Sequence, residues 1–144
     1  MRWPIVKKGD PILMKRCEEV FREFSEEELD GLKRTMIENN GVGLAANQIG
    51  KSERFFVANI NGRFGLFVNP KIVSHGKELV EQPEGCLSIL GEDGKPTYKP
   101  KKRYAVITVH YWDKNKTLVE ETLKRLDARI FQHEMDHLDG KLCQ

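Results

Sequence analysis

The stretch "TLKRLDARIFQHEMDHL", residues 122–138, carries the strongest periodic pattern in the sequence. At about 100° per residue, five side chains fall on one helical face within an arc of about 80°. They are Leu123, Leu126, Ile130, His133 and His137. The pattern predicts a helix over about 122–138 whose two histidines face a hydrophobic core.

The histidine spacing also carries chemistry. His133 and His137 are separated by one helical turn, so both imidazoles can reach one cation, while Glu134 can hold a water beside it without being a ligand. In the alternative interpretation, these are two buried histidines whose four ring nitrogens each find a separate partner. The presence of Glu134 favours a catalytic metal site.

A catalytic site of this kind needs a third protein ligand and an open position for water. Only "LDGKLCQ" follows His137, so the third ligand is expected upstream. The candidates are His75, His110, Glu84 and Cys86. Cys86 lies in "EGCLS", where Gly85 permits a close backbone approach, although a lone cysteine is usually a small buried hydrophobe. The residues alone therefore leave the choice open.

The remaining pattern predicts strands between two helices. Ser25 and Glu28 form a capping box that begins an N-terminal helix, and "NNG" at 39–41 ends it. Asn61-Gly62 joins "RFFVANI" and "RFGLFVN" as a hairpin, and a further strand is expected near Ile72. "YAVITVHYW" alternates and pairs with "TLVEET". We interpret "GVGLAANQIG" and "GEDGKPTYKPKK", 91–102, as loops.

These elements indicate an α+β fold, with antiparallel strands packed around a C-terminal metal-binding helix and with an N-terminal helix. A chain of 144 residues with 39% hydrophobic residues is expected to form one catalytic domain over 1–144. Lysine and arginine number 24 against 22 acids, which indicates neither nucleic acid nor membrane as a partner. The N-terminus has no signal-peptide pattern, and an odd count of three cysteines suits a reducing compartment, so we expect a cytoplasmic protein.

The stretch "GVGLAANQ", 41–48, matches a dinucleotide-binding fingerprint only superficially. It follows a helix and precedes a strand, the reverse of the order that the fingerprint requires. Its exposed backbone N–H groups and the Gln48 carboxamide are donors suited to a carbonyl oxygen that gains negative charge. A loop whose glycines serve only turn geometry is the alternative interpretation.

Taken together and in this order, "GVGLAANQ", "EGCLS" and "QHEMDHL" resemble the three signature motifs of the peptide deformylases. The resemblance implies a metal-dependent hydrolase that removes the formyl group from the N-terminal formyl-methionine of new polypeptides. By motif position it implies metal ligands at Cys86, His133 and His137.

The resemblance also implies the other roles. Glu134 would be the acid/base that acts on the metal-bound water, and Gln48 and the backbone N–H of Leu87 would stabilise the oxyanion. Gly43 would line the peptide channel. Leu126 and Ile130 share the metal-facing stripe and are expected to wall a pocket for the methionine side chain. One divalent ion is expected: the resemblance favours Fe(II), and Zn(II), Ni(II) or Co(II) suit the same ligands.

The sequence departs from the family pattern in three places. Asn47 stands where the family usually has proline, a change expected to loosen the loop backbone. The basic residue that contacts the substrate peptide corresponds to Lys102 or Arg103. The ribosome is a further candidate partner, although the C-terminal segment through which bacterial relatives can engage it does not follow His137 here.

Two rival functions remain at the level of the sequence. A zinc endopeptidase uses the same helix, but it commonly takes its third ligand from downstream. A non-catalytic protein that binds formylated N-termini is disfavoured, because both Glu134 and Gln48 are retained.

Overall fold

In the computed structural model of the chain, residues 3–141 are described, the side chain of Leu87 excepted. Cys143, one of the three cysteines, lies outside the described residues. Two helices, α1 (Glu26–Glu38) and α2 (Arg125–Leu138), flank seven strands. The strands are β1 (Gly43–Ala45), β2 (Phe55–Ile60), β3 (Arg63–His75), β4 (Leu79–Leu90), β5 (Pro96–Tyr104), β6 (Val106–Trp112) and β7 (Leu118–Lys124). Short 3-10 turns span Pro11–Met14 and Ala46–Ile49.

The strands form two antiparallel sheets. One has five strands in the order β1-β2-β3-β6-β7, and the other is the β4–β5 pair. The predicted α+β architecture, with antiparallel strands and a helix at each end of the chain, is confirmed. In the part of the chain that the structure describes, no helix is both long enough and apolar enough to span a membrane.

Both faces of the five-stranded sheet are covered. Phe56 and Ala58 of β2 pack into the core cluster that contains Phe131 of α2. Their neighbours Phe55 and Val57 point the other way, into a second cluster with Leu29, Leu32 and Met36 of α1. Since successive strand side chains alternate between faces, a strand buried on both sides reads as an unbroken apolar run. That explains the sequence "FFVANI".

Several local predictions are confirmed. The Ser25 hydroxyl accepts from the Glu28 N–H at 3.0 Å and caps α1. Asn61 and Gly62 both have positive φ, 57° and 75°, and join β2 to β3. β6 pairs with β7 as expected, and Trp112 lies opposite Leu118.

Two of the predicted loops are wrong. Most of "GEDGKPTYKPKK" is not loop, because Pro96–Tyr104 is β5. Here Pro100 lies opposite Pro83, and a two-stranded sheet tolerates proline because each strand has a free edge. "GVGLAANQIG" holds both β1 and a 3-10 turn instead of an open loop.

The helix start was also predicted too early. Residues 122–124 belong to β7, and α2 begins at Arg125, whose φ of 55° turns the chain sharply from strand into helix. Leu123 is therefore a buried strand residue, and Leu126 is 62% exposed instead of facing the core. The expected strand near Ile72 is the far end of β3, which runs unbroken from Arg63 to His75.

Phe131 fixes the position of α2 on the sheet. Its ring is fully buried and meets Phe56 and Phe67 edge-on, with centroids 5.2 and 5.9 Å apart. We predict that Phe131→Ala lowers the free energy of unfolding by about 3–5 kcal/mol, because it leaves a cavity between sheet and helix. Urea unfolding of the metal-stripped protein measures this.

The matched control is Phe21→Ala, since the Phe21 side chain is 85% exposed. It should change the free energy by no more than about 0.5 kcal/mol. Equal losses in the two variants would contradict the packing described for Phe131.

Candidate active site

α2 brings the two histidines together. His133 and His137 lie one turn apart with ring centroids 4.9 Å apart, and their Nε2 atoms are separated by 3.3 Å. His137 is 1% exposed, and burial lowers its pKa to about 4 although Glu134 acts in the opposite direction. The His137 ring is thus held neutral, the form in which imidazole binds a metal.

Cys86 approaches the same point from β4. Its Sγ lies 3.4 Å from His137 Nε2. Bonds of about 2.1 Å to nitrogen and about 2.3 Å to sulfur place tetrahedral ligands roughly 3.4–3.6 Å apart. The Cys86–His137 and His137–His133 separations are therefore each close to the distance between two ligands of one ion.

The other sequence candidates for a third ligand point elsewhere. The His75 ring stacks on Tyr104 at 3.7 Å, and His110 Nε2 lies 2.6 Å from Glu120 Oε1 on an exposed face. Glu84 lies near the site, but its carboxylate accepts hydrogen bonds from neighbouring side chains. Its Oε1 accepts from His133 Nδ1 at 2.9 Å, which leaves the Nε2 atom of His133 directed at Nε2 of His137.

Glu84 is the centre of a buried ion-pair network. It accepts from Arg103 through two hydrogen bonds of 2.9 and 3.1 Å, and from Arg129 Nη1. Burial alone would raise the pKa of Glu84, but the hydrogen bonds from His133 and Arg103 outweigh it and lower the pKa to about 2. Arg103 also pairs with Asp136, so its guanidinium group belongs to this network.

Glu134 is a carboxylate in the opposite environment. It is 3% exposed, and its Oε1 has no hydrogen-bond partner among the described residues. Burial raises its pKa, against the pull of His133 and His137. A buried carboxyl group with a raised pKa and an unpaired oxygen is suited to accept and return a proton.

Gln48 is fixed by the end of β1. Its Oε1 accepts from the Ala45 N–H at 3.0 Å, which orients Nε2 toward Cys86 Sγ at 3.8 Å and Ser88 Oγ at 3.4 Å. The amide donor therefore faces the cysteine side of the site. Leu87 lies in β4 between Cys86 and Ser88, and the role of its N–H stays a prediction.

A cleft of about 250 Å³ opens onto these groups. Its lining includes Gly43, Leu126 and Ile130, with Leu126 at the exposed rim. Gly43 has a specific geometric reason to be glycine, because a Cβ there would lie 2.4 Å from Glu134 Oε2.

Sequence reasoning missed Arg129 and Tyr98, which also line the cleft. Arg129 carries no motif, and its partners Glu84, Val80 and Lys101 are remote in sequence. Tyr98 lies in the segment that we interpreted as loop. A Cβ on Gly85 would lie only 2.8 Å from the Tyr98 ring, so the ring packs against the glycine. The sequence of β5, with its prolines and run of exposed residues, offered no signal for Tyr98.

Comparison with known proteins yields one family. Its sequence model, "Polypeptide deformylase", matches residues 3–144. Peptide deformylase 2 of Nostoc sp. is 38% identical over 152 residues, which cover 96% of this chain and 82% of that protein. The crystal structure of peptide deformylase from Thermotoga maritima superposes with a TM-score of 0.89 at 37% identity, covering 99% of this chain and 95% of the other.

A second similar structure is a peptide complex. It is the Met-Ala-Ser-bound class I type b peptide deformylase from Acinetobacter baumannii, with a TM-score of 0.87 and 31% identity. It covers 99% of this chain and 96% of that one.

The contact between Gly43 and Glu134 gives a direct test of the site geometry. We predict that Gly43→Ala lowers the free energy of unfolding of the metal-free protein by about 1–3 kcal/mol, because a methyl group must displace the buried carboxylate or the β1 backbone. Gly65→Ala is the control: its Cβ would meet only the Phe67 ring, at 3.4 Å. A Gly43 variant as stable as the Gly65 variant would show that Glu134 is not held against β1.

Proposed function

The chain belongs to the polypeptide deformylase family, metal-dependent hydrolases that remove the formyl group from N-terminal formyl-methionine, and on that premise we propose how its residues perform the reaction. The observation that carries the proposal is the proximity of three potential ligands to an unpaired, buried carboxylate, with His133 and Glu134 lining one cleft.

Cys86, His133 and His137 hold one divalent ion. A bound ion of this kind lowers the pKa of water and polarises a carbonyl oxygen. The thiolate and two neutral imidazoles suit Fe(II), Zn(II), Ni(II) or Co(II), and we propose Fe(II) as the native ion. Support comes from the ligand separations and from the low pKa of His137.

Glu134 moves the proton. It takes a proton from the attacking water as oxygen bonds to the formyl carbon, and it delivers that proton to the amine nitrogen as the C–N bond breaks. The products are formate and a peptide with a free N-terminal amine. Its raised pKa supports this role, because a carboxyl group that holds a proton more readily can pass it on near neutral pH.

Gln48 stabilises the oxygen that gains charge. Its Nε2 donor is already oriented toward Cys86 by the Ala45 contact, so no reorganisation is needed as charge develops. The backbone N–H of Leu87, the residue after Cys86, is the proposed second donor.

The cleft receives the methionine side chain. Ile130 walls it, Leu126 forms its exposed rim, and Gly43 lines it and leaves room for the Glu134 carboxylate. The formylated N-termini of new polypeptides are thus the proposed partners. Their place of synthesis supports a cytoplasmic location.

An anaerobic assay on formyl-Met-Ala, with metal content measured on the same sample, tests the proposal as a whole. Formate release that rises with bound Fe(II) is the expected result. Cleavage of internal bonds in an unformylated peptide, or ligand binding without turnover, would instead support an endopeptidase or a non-catalytic binder.

We predict that Cys86→Ser abolishes bound metal and activity together, because a serine hydroxyl stays protonated at neutral pH and is a poorer ligand. Cys17→Ser is the control, since burial raises the pKa of the Cys17 thiol to about 11 and its role is packing. Metal analysis after gel filtration distinguishes them. Stoichiometric metal in the Cys86 variant would remove Cys86 from the ligand set.

Glu134→Gln separates catalysis from coordination. The amide keeps its size but cannot accept a proton at neutral pH, so kcat should fall at least about 10²-fold while metal content stays at the parent value. Glu120→Gln, at an exposed carboxylate, should change neither. Loss of metal would make Glu134 a ligand, and near-parental turnover would assign the proton transfer to another group.

Ile130→Lys tests the pocket. A charge at the cleft wall should raise KM and lower kcat/KM for formyl-Met substrates at least about tenfold, the scale on which apolar pockets distinguish substrates. Leu118→Lys, on exposed β7, is the control for added charge. Unchanged kinetics in a folded Ile130 variant would place the pocket elsewhere.

A further inference from the structure

Asn47 joins the Gln48 loop to the metal-binding helix. It lies in the 3-10 turn Ala46–Ile49, is completely buried, and donates from Nδ2 to the backbone carbonyl of His137 at 2.6 Å. The sequence led us to expect that an asparagine here loosens the loop. The structure shows instead a side chain that ties the loop to α2.

Two polar atoms in this contact have no partner. Asn47 Oδ1 and His137 Nδ1 are both buried and form no hydrogen bond with the described residues. They belong to two residues that already touch through Nδ2 and the His137 carbonyl. That donation also fixes the amide orientation, since only the nitrogen side can face a carbonyl oxygen.

The chemistry of the two atoms is complementary. His137 directs Nε2 at Cys86 Sγ and at His133 Nε2, so Nε2 is the ligand atom in the proposed site. The ring proton then resides on Nδ1, which becomes a donor, and a ligand histidine normally gives this proton to a protein oxygen or a water. Asn47 Oδ1 is a hydrogen-bond acceptor that accepts no hydrogen bond from the described residues.

We propose that Asn47 is a positioning residue for His137: its amide oxygen accepts the Nδ1 proton through one buried water, while its amide N–H holds the His137 carbonyl. Together these contacts fix the tautomer and the ring orientation of His137, as Glu84 does for His133. The same side chain couples the ligand to Gln48, the next residue in the chain. The inference rests on the proposed function, because it requires His137 to bind metal through Nε2.

The test uses the full chain loaded with Zn(II), which is diamagnetic, and isotope-labelled histidine. In the parent protein, long-range proton–nitrogen NMR spectra should show His137 protonated on Nδ1, with slow exchange into water and NOEs to the Asn47 side chain. Rapid exchange, or an Nδ1 proton without NOEs to Asn47, would overturn the inference even if no variant folds.

Two variants add a quantitative readout. Asn47→Leu keeps the volume but removes both hydrogen bonds, and Asn47→Ala removes the volume as well. Both should raise the Kd for Zn(II), measured by chelator competition, about 10–100-fold and speed exchange of the His137 Nδ1 proton at least about tenfold. If the Leu variant keeps the parental Kd for Zn(II) and the parental exchange rate of the His137 Nδ1 proton, the Asn47 side chain contributes only packing and the inference is overturned.

Asn69→Ala is the matched control. Asn69 is a buried amide that makes two hydrogen bonds to the Val20 backbone and none to α2. Its loss should lower the unfolding temperature without changing the Kd for Zn(II), and an equal loss of affinity would mean that Asn47 acts only through general stability. If the parent shows no Zn(II)-dependent change at His137, the proposed metal site fails first and the inference fails with it.

Discussion

Glu84 holds the two halves of the site together. The β4–β5 sheet shares no hydrogen-bonded strand with the five-stranded sheet in the described part of the chain, so it depends on side-chain contacts to stay in place. Glu84 of β4 accepts from Arg129 and His133 of α2 and from Arg103 of β5. Breaking a buried pair of this kind costs about 3–5 kcal/mol, since it strands a charge. Cys86, two residues along β4, reaches His137 because of this contact.

The same network explains why two carboxyl groups so close together have different chemistry. Guanidinium groups and His133 surround Glu84 and lower its pKa, so it remains an anion that only accepts hydrogen bonds. Oε1 of Glu134 has no hydrogen-bond partner among the described residues, and burial raises the pKa of this carboxyl group. Because their surroundings differ, the Glu84 carboxylate orients His133, whereas the Glu134 carboxylate is available for the proposed proton transfer.

The features that were predicted correctly from the sequence are those that residues close together in the chain determine. The Ser25 cap, the Asn61-Gly62 turn and the one-turn spacing of His133 and His137 each depend on neighbours within a few residues. β5 was missed because its prolines signal loop, although alternate residues of an edge strand need no N–H donor. The helix start was misplaced because apolar periodicity continues through β7, whereas one left-handed residue, Arg125, decides the boundary. The partners of Glu84 and Asn47 are set by tertiary contacts that no local pattern encodes.

Each histidine is therefore oriented from a different part of the fold. Glu84 fixes His133 from the β4–β5 sheet, and Asn47 approaches His137 from the turn that follows β1. The proposed ligands Cys86, His133 and His137 converge where that sheet, α2 and the turn meet. Because binding free energy at such a junction is also folding free energy, the metal would strengthen contacts between elements that otherwise share few hydrogen bonds. Residues that orient the ligands then serve the cohesion of the fold and the chemistry of the site through the same contacts.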